Sequence, residues 1–473
     1  MKDIHIKYLK WNKKDKQEFY QSCKTHFELT KCQFYQPFYS LFFNIHNTKH
    51  SHTIFDLQRR YVVSNVRNID KDYFHNSNTI IQASVRDNQQ HIHFETKLFC
   101  KCIPLLDPLS FLMNNYNVNI LRNPLLPSAY NYNTFEKIND IDNMAYIDTF
   151  FSFIASELTL KDKLPCFPIY YGSVNGIKKE YKYDITDDYS HFQKKSWFHK
   201  DSNQSFSINL YLSSSDDDTS NDSDSDYEDN GDYIALLKNI PCQYFFIEQL
   251  EGTLEDLLSS IEDFNQDLLL SCLFQVSFSL TYLQKHYQFT HNDLHINNIM
   301  FQKTDKTFMY YKFNNKYFKV PTHGYIFKII DFGRAIFTFH NKQYFNDTFK
   351  KHGEAGGQYD YPYDKLLFEK KKEQVEPNYH FDLCRLAITI LDQIKYDKDE
   401  TYDEKQTLLE FIYSMTIDCN DESLYDVYDD FDLYISIAKD ANKALPSLII
   451  QNEIFTKYRV HKKLFPKKLY YHL

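Results

Sequence analysis

Two short polar motifs constrain this chain more than any other feature. Residues 291–298 read His-Asn-Asp-Leu-His-Ile-Asn-Asn, and residues 330–333 read Ile-Asp-Phe-Gly. Each motif adjoins an apolar, strand-like run. The pattern is typical of phosphoryl transfer from ATP, because Asp293 can orient or deprotonate an attacking hydroxyl. Asn298 and Asp331 can hold the Mg²⁺ ions that bridge the phosphates.

The bulk properties indicate a globular protein without nucleic-acid affinity. The chain has 473 residues, of which 42% are hydrophobic, enough for a packed core in more than one ordinary domain. The net charge is −10, but nine acidic residues fall between Asp216 and Asp232, so the remainder is close to neutral. We therefore expect no DNA binding. A weakly basic stretch from Lys457 to Lys468 ends the chain and is most simply a solvated surface.

The cysteines and the hydropathy pattern predict a soluble protein in a reducing compartment. The nine cysteines are odd in number and none forms a Cys-x-x-Cys pair, so reduced thiols are expected. The N-terminus lacks the apolar segment of a signal peptide. No apolar run reaches the roughly 18 residues that a membrane-spanning helix needs, so no membrane contact is expected.

Two strand-like segments place one lysine in apolar surroundings. Residues 79–86 and 91–103 have strand patterns on either side of the polar turn 87–90. Lys101 lies between two cysteines in the second strand, and a buried lysine is costly unless it is paired. Lys101 is therefore the candidate to bind the ATP phosphates. The alternative is a lysine on an edge strand with its ammonium group in water.

A helix predicted over residues 142–160 supplies a candidate partner for this lysine. Glu157 lies near the end of the helix and precedes a strand at 167–172. An ion pair between Glu157 and Lys101 would hold the lysine at the phosphates. The alternative is a surface glutamate at a helix end.

The segment 213–232 is rich in Ser and Asp, contains no Lys or Arg, and is predicted to be a disordered loop. Several of its hydroxyl residues stand three positions before an acid, an arrangement that suits an acid-directed kinase. Autophosphorylation of this loop is one reading, and a solvated spacer is the other.

A buried strand and a connector follow at residues 243–252. The backbone groups of Glu248 and Leu250 are candidates to hydrogen-bond adenine. Residues 266–286 have the periodicity of a central helix.

Residues 307–313 and 316–320 flank an Asn-Asn pair and predict a β-hairpin between the two motifs. Residues 381–391 predict a buried helix with Asp382 near its start. A buried carboxylate needs donors, and the backbone amides of the 291–298 loop are the candidates.

Taken together, these residues resemble the eukaryotic-type protein kinases, and more narrowly the serine/threonine kinases of mimivirus-like large DNA viruses. The resemblance covers roughly residues 79–395. The segments that carry the resemblance are residues 99–108, 291–300, 318–322 and 329–336.

The resemblance implies an α+β, bilobal protein-kinase-like fold with insertions, in which a small β-rich N-lobe precedes a larger helical C-lobe. The implied domains are an N-terminal extension of unknown role at 1–70, the N-lobe at 71–250, and the C-lobe with its basic tail at 251–473.

The resemblance also implies residue roles. Asp293 becomes the proton acceptor, and Asn298 and Asp331 become the Mg²⁺ ligands. Lys101 becomes the phosphate lysine. Asp382 becomes the scaffold beneath the catalytic loop.

The chain departs from the family pattern in several places. No glycine precedes Gly172, so residues 65–78 must replace the Gly-rich phosphate loop. Asn292 stands where the family has Arg, which leaves an activation-loop phosphate without that partner. His295 replaces a lysine and would be a weaker, pH-dependent phosphate contact. No Ala-Pro-Glu follows Asp331.

These observations predict an ATP- and Mg²⁺-dependent serine/threonine-protein kinase acting on protein substrates of unknown identity. Two alternatives stay open. Small-molecule phosphotransferases of the aminoglycoside or choline kinase type share the His-x-Asp-Leu-His-x-x-Asn loop, and a pseudokinase scaffold would account for the missing glycine loop. A composition rich in Lys, Asn, Ile, Phe and Tyr, together with the resemblance, favours a viral origin, with host cytoplasm or the virion as the location.

Overall fold

A computed structural model divides the chain into two compact units. The first comprises Met1–Asp140 and Tyr171–Glu248, and the second comprises Ile141–Tyr170 and Gln249–Leu473. The expected acidic loop at 213–232 lies outside the described residues, except for its last two positions. The structure describes residues 4–7, 12–34, 53–56, 59–75, 78–116, 126–127, 134–201, 206–212, 231–258, 264–350, 353–359, 375–426, 430–466 and 470–473.

Helices and mainly antiparallel strands are mixed along the chain, which is compatible with the α+β class. The strands are β1 (Ile4–Lys7), β2 (Leu29–Phe34), β3 (Thr53–Asp56), β4 (Tyr61–His75), β5 (Asn78–Asp87), β6 (Ile92–Pro104), β7 (Tyr170–Asp184), β8 (Phe206–Leu212), β9 (Gly231–Glu248), β10 (Gly252–Thr253), β11 (Ile299–Lys303), β12 (Phe308–Phe313), β13 (Lys316–Pro321), β14 (Tyr325–Ile329), β15 (Phe337–Phe339), β16 (Lys342–Tyr344) and β17 (Tyr471–His472). The helices are α1 (Lys13–Phe27), α2 (Pro108–Leu112), α3 (Glu136–Asn139), α4 (Met144–Leu160), α5 (Thr186–Phe192), α6 (Ser196–Asp201), α7 (Gln266–Tyr287), α8 (Phe381–Gln393), α9 (Gln406–Ser414), α10 (Asp430–Asp440) and α11 (Pro446–Ile449). None of the helices in the described ranges is long and apolar enough to cross a bilayer.

The first unit is built on a seven-stranded sheet that carries Lys101. The strand order is β2-β7-β9-β6-β5-β4, with β8 paired to β9. Strand β6 pairs with β5 on one side and with β9 on the other, where Phe245 is the register partner of Lys101. Lys101 is therefore on an interior strand, and the edge-strand alternative is wrong because an edge strand has only one neighbour.

The stretch predicted to replace a Gly-rich loop, residues 65–78, forms most of the β4–β5 hairpin. Its pairing shifts register between Val63 and Asn65, and shifts twice more before the turn. Such bulges bend a strand and increase its local twist. Residues 76–77 lie outside the described residues, and a phosphate-binding role for this segment stays a prediction.

Residues 12–34, assigned from sequence to a separate extension, pack within the first unit. Strand β2 pairs with β7 at the end of the sheet. Helix α1 lies against β4 through Ser22, whose Oγ donates to the carbonyl of Phe19 at 2.8 Å and accepts from the amide of Val66 at 3.1 Å. The boundary expected near residue 70 therefore does not separate these residues from the sheet.

Replacing Ser22 by Ala tests this packing. The change leaves the buried amide of Val66 without its acceptor, so we expect the free energy of unfolding to fall by about 1–3 kcal/mol. Urea unfolding of Ser22→Ala measures the loss. Lys24→Ala, an exposed change on the same helix, is the control. Equal midpoints for both variants would contradict the packing.

The second unit is organised around helix α7. The side chain of Asn265 caps its start by accepting from the amide of Leu268 at 3.0 Å. Phe274, near its middle, contacts the rings of Tyr311 and Phe318, at centroid distances of 5.3 and 5.1 Å. These two rings belong to the hairpin β12–β13, which is confirmed. Its Asn-Asn turn has two positive φ values, 45° and 62°, as a two-residue hairpin of this type requires.

Buried polar side chains of α7 fix the strand that enters the second motif. The amide oxygen of Gln275 accepts from the backbone N–H of Phe327 in β14 at 3.1 Å. Its amide nitrogen donates to Ser271 at 3.2 Å, and Ser271 donates to the carbonyl of Pro321 at 2.6 Å. The buried side chains of Gln275 and Ser271 are therefore hydrogen-bonded to each other and to the backbone of both neighbouring strands, which reduces the cost of burying them.

The pairing of β11 with β14 brings the two sequence motifs together. Strand β11 leaves the first motif and β14 enters the second, and Ile299 is the register partner of Ile329. Because the strands are antiparallel, the start of one lies opposite the end of the other. The side chains of both motifs therefore lie at one edge of this small sheet.

Candidate active site

The loop that carries Asp293 is held by one buried carboxylate. Asp382, in the first turn of α8, is fully buried. Its oxygens accept from the amide of His291 at 2.9 and 3.0 Å and from the amide of Asn292 at 3.0 Å. Burial raises the pKa of Asp382, and His291 and the two amides oppose that rise by favouring the carboxylate. This is the geometry expected of a scaffold for the loop.

His291 and the backbone join the two motifs directly. The imidazole is fully buried, and its Nε2 lies 2.9 Å from the carbonyl oxygen of Ile330, so Nε2 carries the proton and donates. The amide of Ile330 donates to the carbonyl of Asn298 at 3.1 Å. Thr290 and Ile336 exchange two backbone bonds of 2.9 Å. The motifs therefore form one hydrogen-bonded structure.

Asp293 presents its carboxylate at the surface of this structure, with a quarter of the side chain exposed. Oδ1 accepts a 2.6 Å hydrogen bond from the hydroxyl of Tyr434 and lies 3.9 Å from Nη1 of Arg334. Across the described part of the chain, Oδ2 receives no hydrogen bond. An acceptor hydroxyl can therefore reach this carboxylate, and one hydroxyl of the chain already does.

The hydrogen bonds of its side-chain nitrogen turn the amide oxygen of Asn298, Oδ1, outward. Its Nδ2 donates to the carbonyl of Asp293 at 2.8 Å and lies 3.0 Å from Nε2 of His295. An amide nitrogen only donates, so Nε2 of His295 must be unprotonated there. Burial lowers the pKa of His295, in agreement with a neutral ring. Oδ1 of Asn298 has no donor among the described residues and can bind a cation.

Asp331 has a backbone that few residues other than glycine adopt. Its φ is 62°, in the left-handed region. Its Oδ1 accepts from the amide of Gly333 at 3.4 Å. A residue stays in such a conformation only when its surroundings hold it, and such positions cluster at functional sites.

An aromatic cluster holds the residue that follows Asp331. The ring centroid of Phe332 lies 4.9 Å from that of Phe151 and 5.7 Å from the ring of His291. Phe151 also stacks on Phe289 at 4.5 Å. Edge and offset contacts of this kind stabilise by about 0.5–1.5 kcal/mol each beyond their buried area. The cluster fixes the backbone from which Asp331 projects.

The donor set fits Mg²⁺ bound together with phosphate. Asn298 and Asp331 offer the oxygen ligands that Mg²⁺ prefers, and Mg²⁺ usually takes one or two protein ligands and completes its shell with phosphates and water. In the described ranges, no three His, Cys, Asp or Glu side chains cluster so that they could hold a metal ion. Phosphate oxygens would therefore be needed to complete the coordination.

The remaining predicted residues fall in both units. Lys101 is half-buried in the first unit, with Nζ 5.9 Å from the ring centroid of Phe245. Glu157, on α4 in the second unit, has Oε2 2.9 Å from Nζ of Lys161. Glu248 ends β9, and Leu250 is buried in the second unit. The pairing of Lys101 with Glu157 and the contacts of Glu248 and Leu250 with adenine stay predictions.

Part of the chain is similar in sequence to a known protein kinase. The sequence is similar to a serine/threonine-protein kinase haspin homolog from Drosophila melanogaster, with 24% identity over 167 residues. The similar region is 34% of this chain, and it spans 29% of that relative's length. No family model matches the sequence. The similarity supports a relationship to protein kinases.

Asp148 is a residue of the site that the sequence analysis did not single out. It lies on α4 with 1% of its surface exposed, and its Oδ1 accepts from the amide of Phe332 at 3.1 Å and from Ser152 at 3.3 Å. The sequence signal for Asp148 was a carboxylate within a helix rich in aromatic residues. Such a carboxylate is costly to bury unless hydrogen-bond donors surround it. Asp148 contacts the second motif directly, at a position on α4 two and a half turns before Glu157.

Asn292 also has a role that its sequence position did not indicate. Its Nδ2 donates to the carbonyl of Arg334 at 3.0 Å, and its Oδ1 accepts from the hydroxyl of Tyr359 at 2.7 Å. Nη2 of Arg334 lies 2.9 Å from Oε1 of Glu354. The side chain of Asn292 thus links the segment after the second motif to the loop without any phosphate group. Asn292 stands where the kinase family pattern has an arginine.

Exchanging Asp148 and Glu157 separately for Ala distinguishes their roles. Asp148→Ala leaves the amide of Phe332 unpaired and loosens the second motif, so we expect the phosphoryl transfer that the two motifs predict to fall about 100-fold. Glu157→Ala removes an ion pair with Lys161, whose side chain is 66% exposed, and should leave the rate within about twofold unless Glu157 also pairs with Lys101 as predicted. Steady-state rates measure both. A loss in Glu157→Ala as large as that in Asp148→Ala would support the predicted pairing of Glu157 with Lys101.

Replacing Asp382 by Asn tests the scaffold. An amide offers one acceptor oxygen, and its NH₂ group would face the amides of His291 and Asn292, so we expect unfolding to become easier by about 1.5–3 kcal/mol. Asp392→Asn makes the same change at an exposed position of the same helix and is the control. Thermal and urea unfolding measure both. Equal stability would mean that Asp382 does not hold the loop.

Proposed function

We propose that this chain is a protein kinase that transfers the γ-phosphate of Mg²⁺-ATP to Ser or Thr hydroxyls of protein substrates, within a bilobal kinase fold. The relationship to protein kinases supports the reaction class. The serine/threonine specificity and the use of ATP and Mg²⁺ are parts of the proposal that rest on the sequence motifs. A viral origin is a further part, which rests on the composition and the family resemblance.

One observation carries the proposal. Asp293, Asn298 and Asp331 lie on two segments that Asp382, His291 and the β11–β14 pairing hold as one structure. Packing alone does not require a partly exposed carboxylate, an outward amide oxygen and an aspartate with a left-handed backbone together. Phosphoryl transfer uses all three.

The residues divide the chemistry between them. Asp293 orients the acceptor hydroxyl and receives its proton. Asn298 and Asp331 would hold Mg²⁺, which neutralises the charge on the phosphates when it is bound. Lys101 would contact the phosphates, with the backbone at Glu248 and Leu250 contacting adenine.

Transfer of labelled γ-phosphate from Mg²⁺-ATP to a mixed protein extract tests the function. We expect wild-type protein to label Ser and Thr residues, and Asp293→Ala to lose about 10²–10⁴-fold of the rate, because a positioned base contributes a factor of that size. Asp331→Asn should lose activity with its fold intact, as followed by circular dichroism.

Three results would argue against the proposal. Full turnover by Asp331→Asn would remove the metal role of that residue. Transfer to small alcohols but not to proteins would indicate a small-molecule phosphotransferase. ATP binding by well-folded protein without any transfer would indicate a pseudokinase.

A further inference from the structure

The most unusual contact in the candidate site is made by a tyrosine of the chain itself. The hydroxyl of Tyr434, on helix α10, donates to Oδ1 of Asp293 at 2.6 Å. A phosphoryl acceptor must place its hydroxyl within about 2.6–3.2 Å of the carboxylate that takes its proton. Tyr434 meets that distance requirement without any substrate present.

Packing holds the ring of Tyr434 in this place. Leu433 and Ile437, on the same helix, are buried. The side chain of Asn378 donates to the carbonyls of Ile437 and Ala441 at 3.2 and 2.8 Å and fastens the end of the helix. The packing of helix α10 therefore holds Tyr434 where its hydroxyl donates to Asp293.

The surroundings of Tyr434 suit an added phosphate. The guanidinium carbons of Arg385 and Arg334 lie 5.0 and 5.5 Å from the centre of its ring. Nε of Arg385 is buried and has no hydrogen-bond partner among the described residues. An unpaired guanidinium N–H is costly in protein and is well matched to a phosphate oxygen. Two guanidinium groups thus lie beside the hydroxyl that faces the proposed base, and one of them, Arg334, also pairs with Glu354 at 2.9 Å.

We propose that Tyr434 is an intramolecular phosphoryl acceptor, so that the chain phosphorylates its own Tyr434. This inference rests on the proposed kinase function, and it adds one tyrosine of the chain itself to the Ser and Thr acceptors proposed for external proteins. The Oη of Tyr434 attacks the γ-phosphorus of ATP, the bond from that phosphorus to the β,γ-bridging oxygen breaks, and ADP leaves. The phenolic proton goes to Asp293. Arg385 and Arg334 offset the charge of the product phosphate.

Self-phosphorylation has a consequence for external substrates. The Tyr434 hydroxyl occupies Oδ1 of Asp293, so an external acceptor hydroxyl competes with it for the same carboxylate. Once phosphorylated, Tyr434 places about two negative charges beside this carboxylate, and like charges at such a distance repel. The modified chain should therefore transfer phosphate to external proteins more slowly than the unmodified chain.

Peptide mapping by mass spectrometry tests the proposal on the full chain. The protein is first treated with a phosphatase, which is then removed, and Mg²⁺ with labelled ATP is added. We expect phosphate on Tyr434, with a fractional rate that does not change when the protein concentration is varied about tenfold, since the acceptor is intramolecular. An external protein acceptor is included in every reaction.

Matched variants separate this reaction from others. Tyr434→Phe should lose tyrosine labelling. Tyr425→Phe should keep it, because the Tyr425 hydroxyl donates to the carbonyl of Tyr396 and lies outside the site. Arg385→Gln should slow the labelling of Tyr434 more than the labelling of the external protein.

The outcomes distinguish this proposal from the proposed function. Labelling of the external protein without phosphate on Tyr434, or Tyr434 labelling that accelerates with protein concentration, overturns the self-acceptor role and leaves the kinase function standing. An absence of label on every acceptor, from folded protein that binds ATP, overturns both.

Discussion

The rest of the candidate site depends on the hydrogen bonds that the carboxylate of Asp382 accepts from the loop at residues 291–298. A fully buried carboxylate is costly unless donors surround it, and the amides of His291 and Asn292 supply them. The same bonds fix two backbone units immediately before Asp293. A buried charge on α8 thereby determines where the proposed proton acceptor stands.

The second motif is held by a different kind of contact. Phe332 packs among rings, while its amide donates to Asp148 and the carbonyl before Asp331 accepts from His291. This combination of apolar packing and a few satisfied polar groups maintains the left-handed backbone of Asp331. Both motifs therefore share His291, whose backbone contacts Asp382 and whose side chain contacts Ile330.

Hydrogen bonds account for two of the departures from the kinase pattern. Asn292 does not leave a gap where an arginine was expected, because its amide group bonds to Arg334 and Tyr359. His295 contacts Asn298 through an unprotonated nitrogen and so helps to turn the amide oxygen outward. In these two places, neutral hydrogen bonds of Asn292 and His295 link the loop to its neighbours.

The sequence by itself determined the regular elements and the identity of the central residues. Period and turn chemistry indicated β5, β6, α4, α7, α8 and the Asn-Asn hairpin, because these features depend on neighbours in the chain. The polar pattern of the two motifs singled out Asp293, Asn298 and Asp331 as candidates, and the predicted helix at 381–391 singled out Asp382. Only the tertiary structure decided that residues 12–34 join the first sheet, that Asp148 contacts Phe332, and that Tyr434 reaches Asp293. These contacts join residues separated by tens to hundreds of positions, and no local pattern of burial or charge specifies which distant side chain will supply the donor or acceptor.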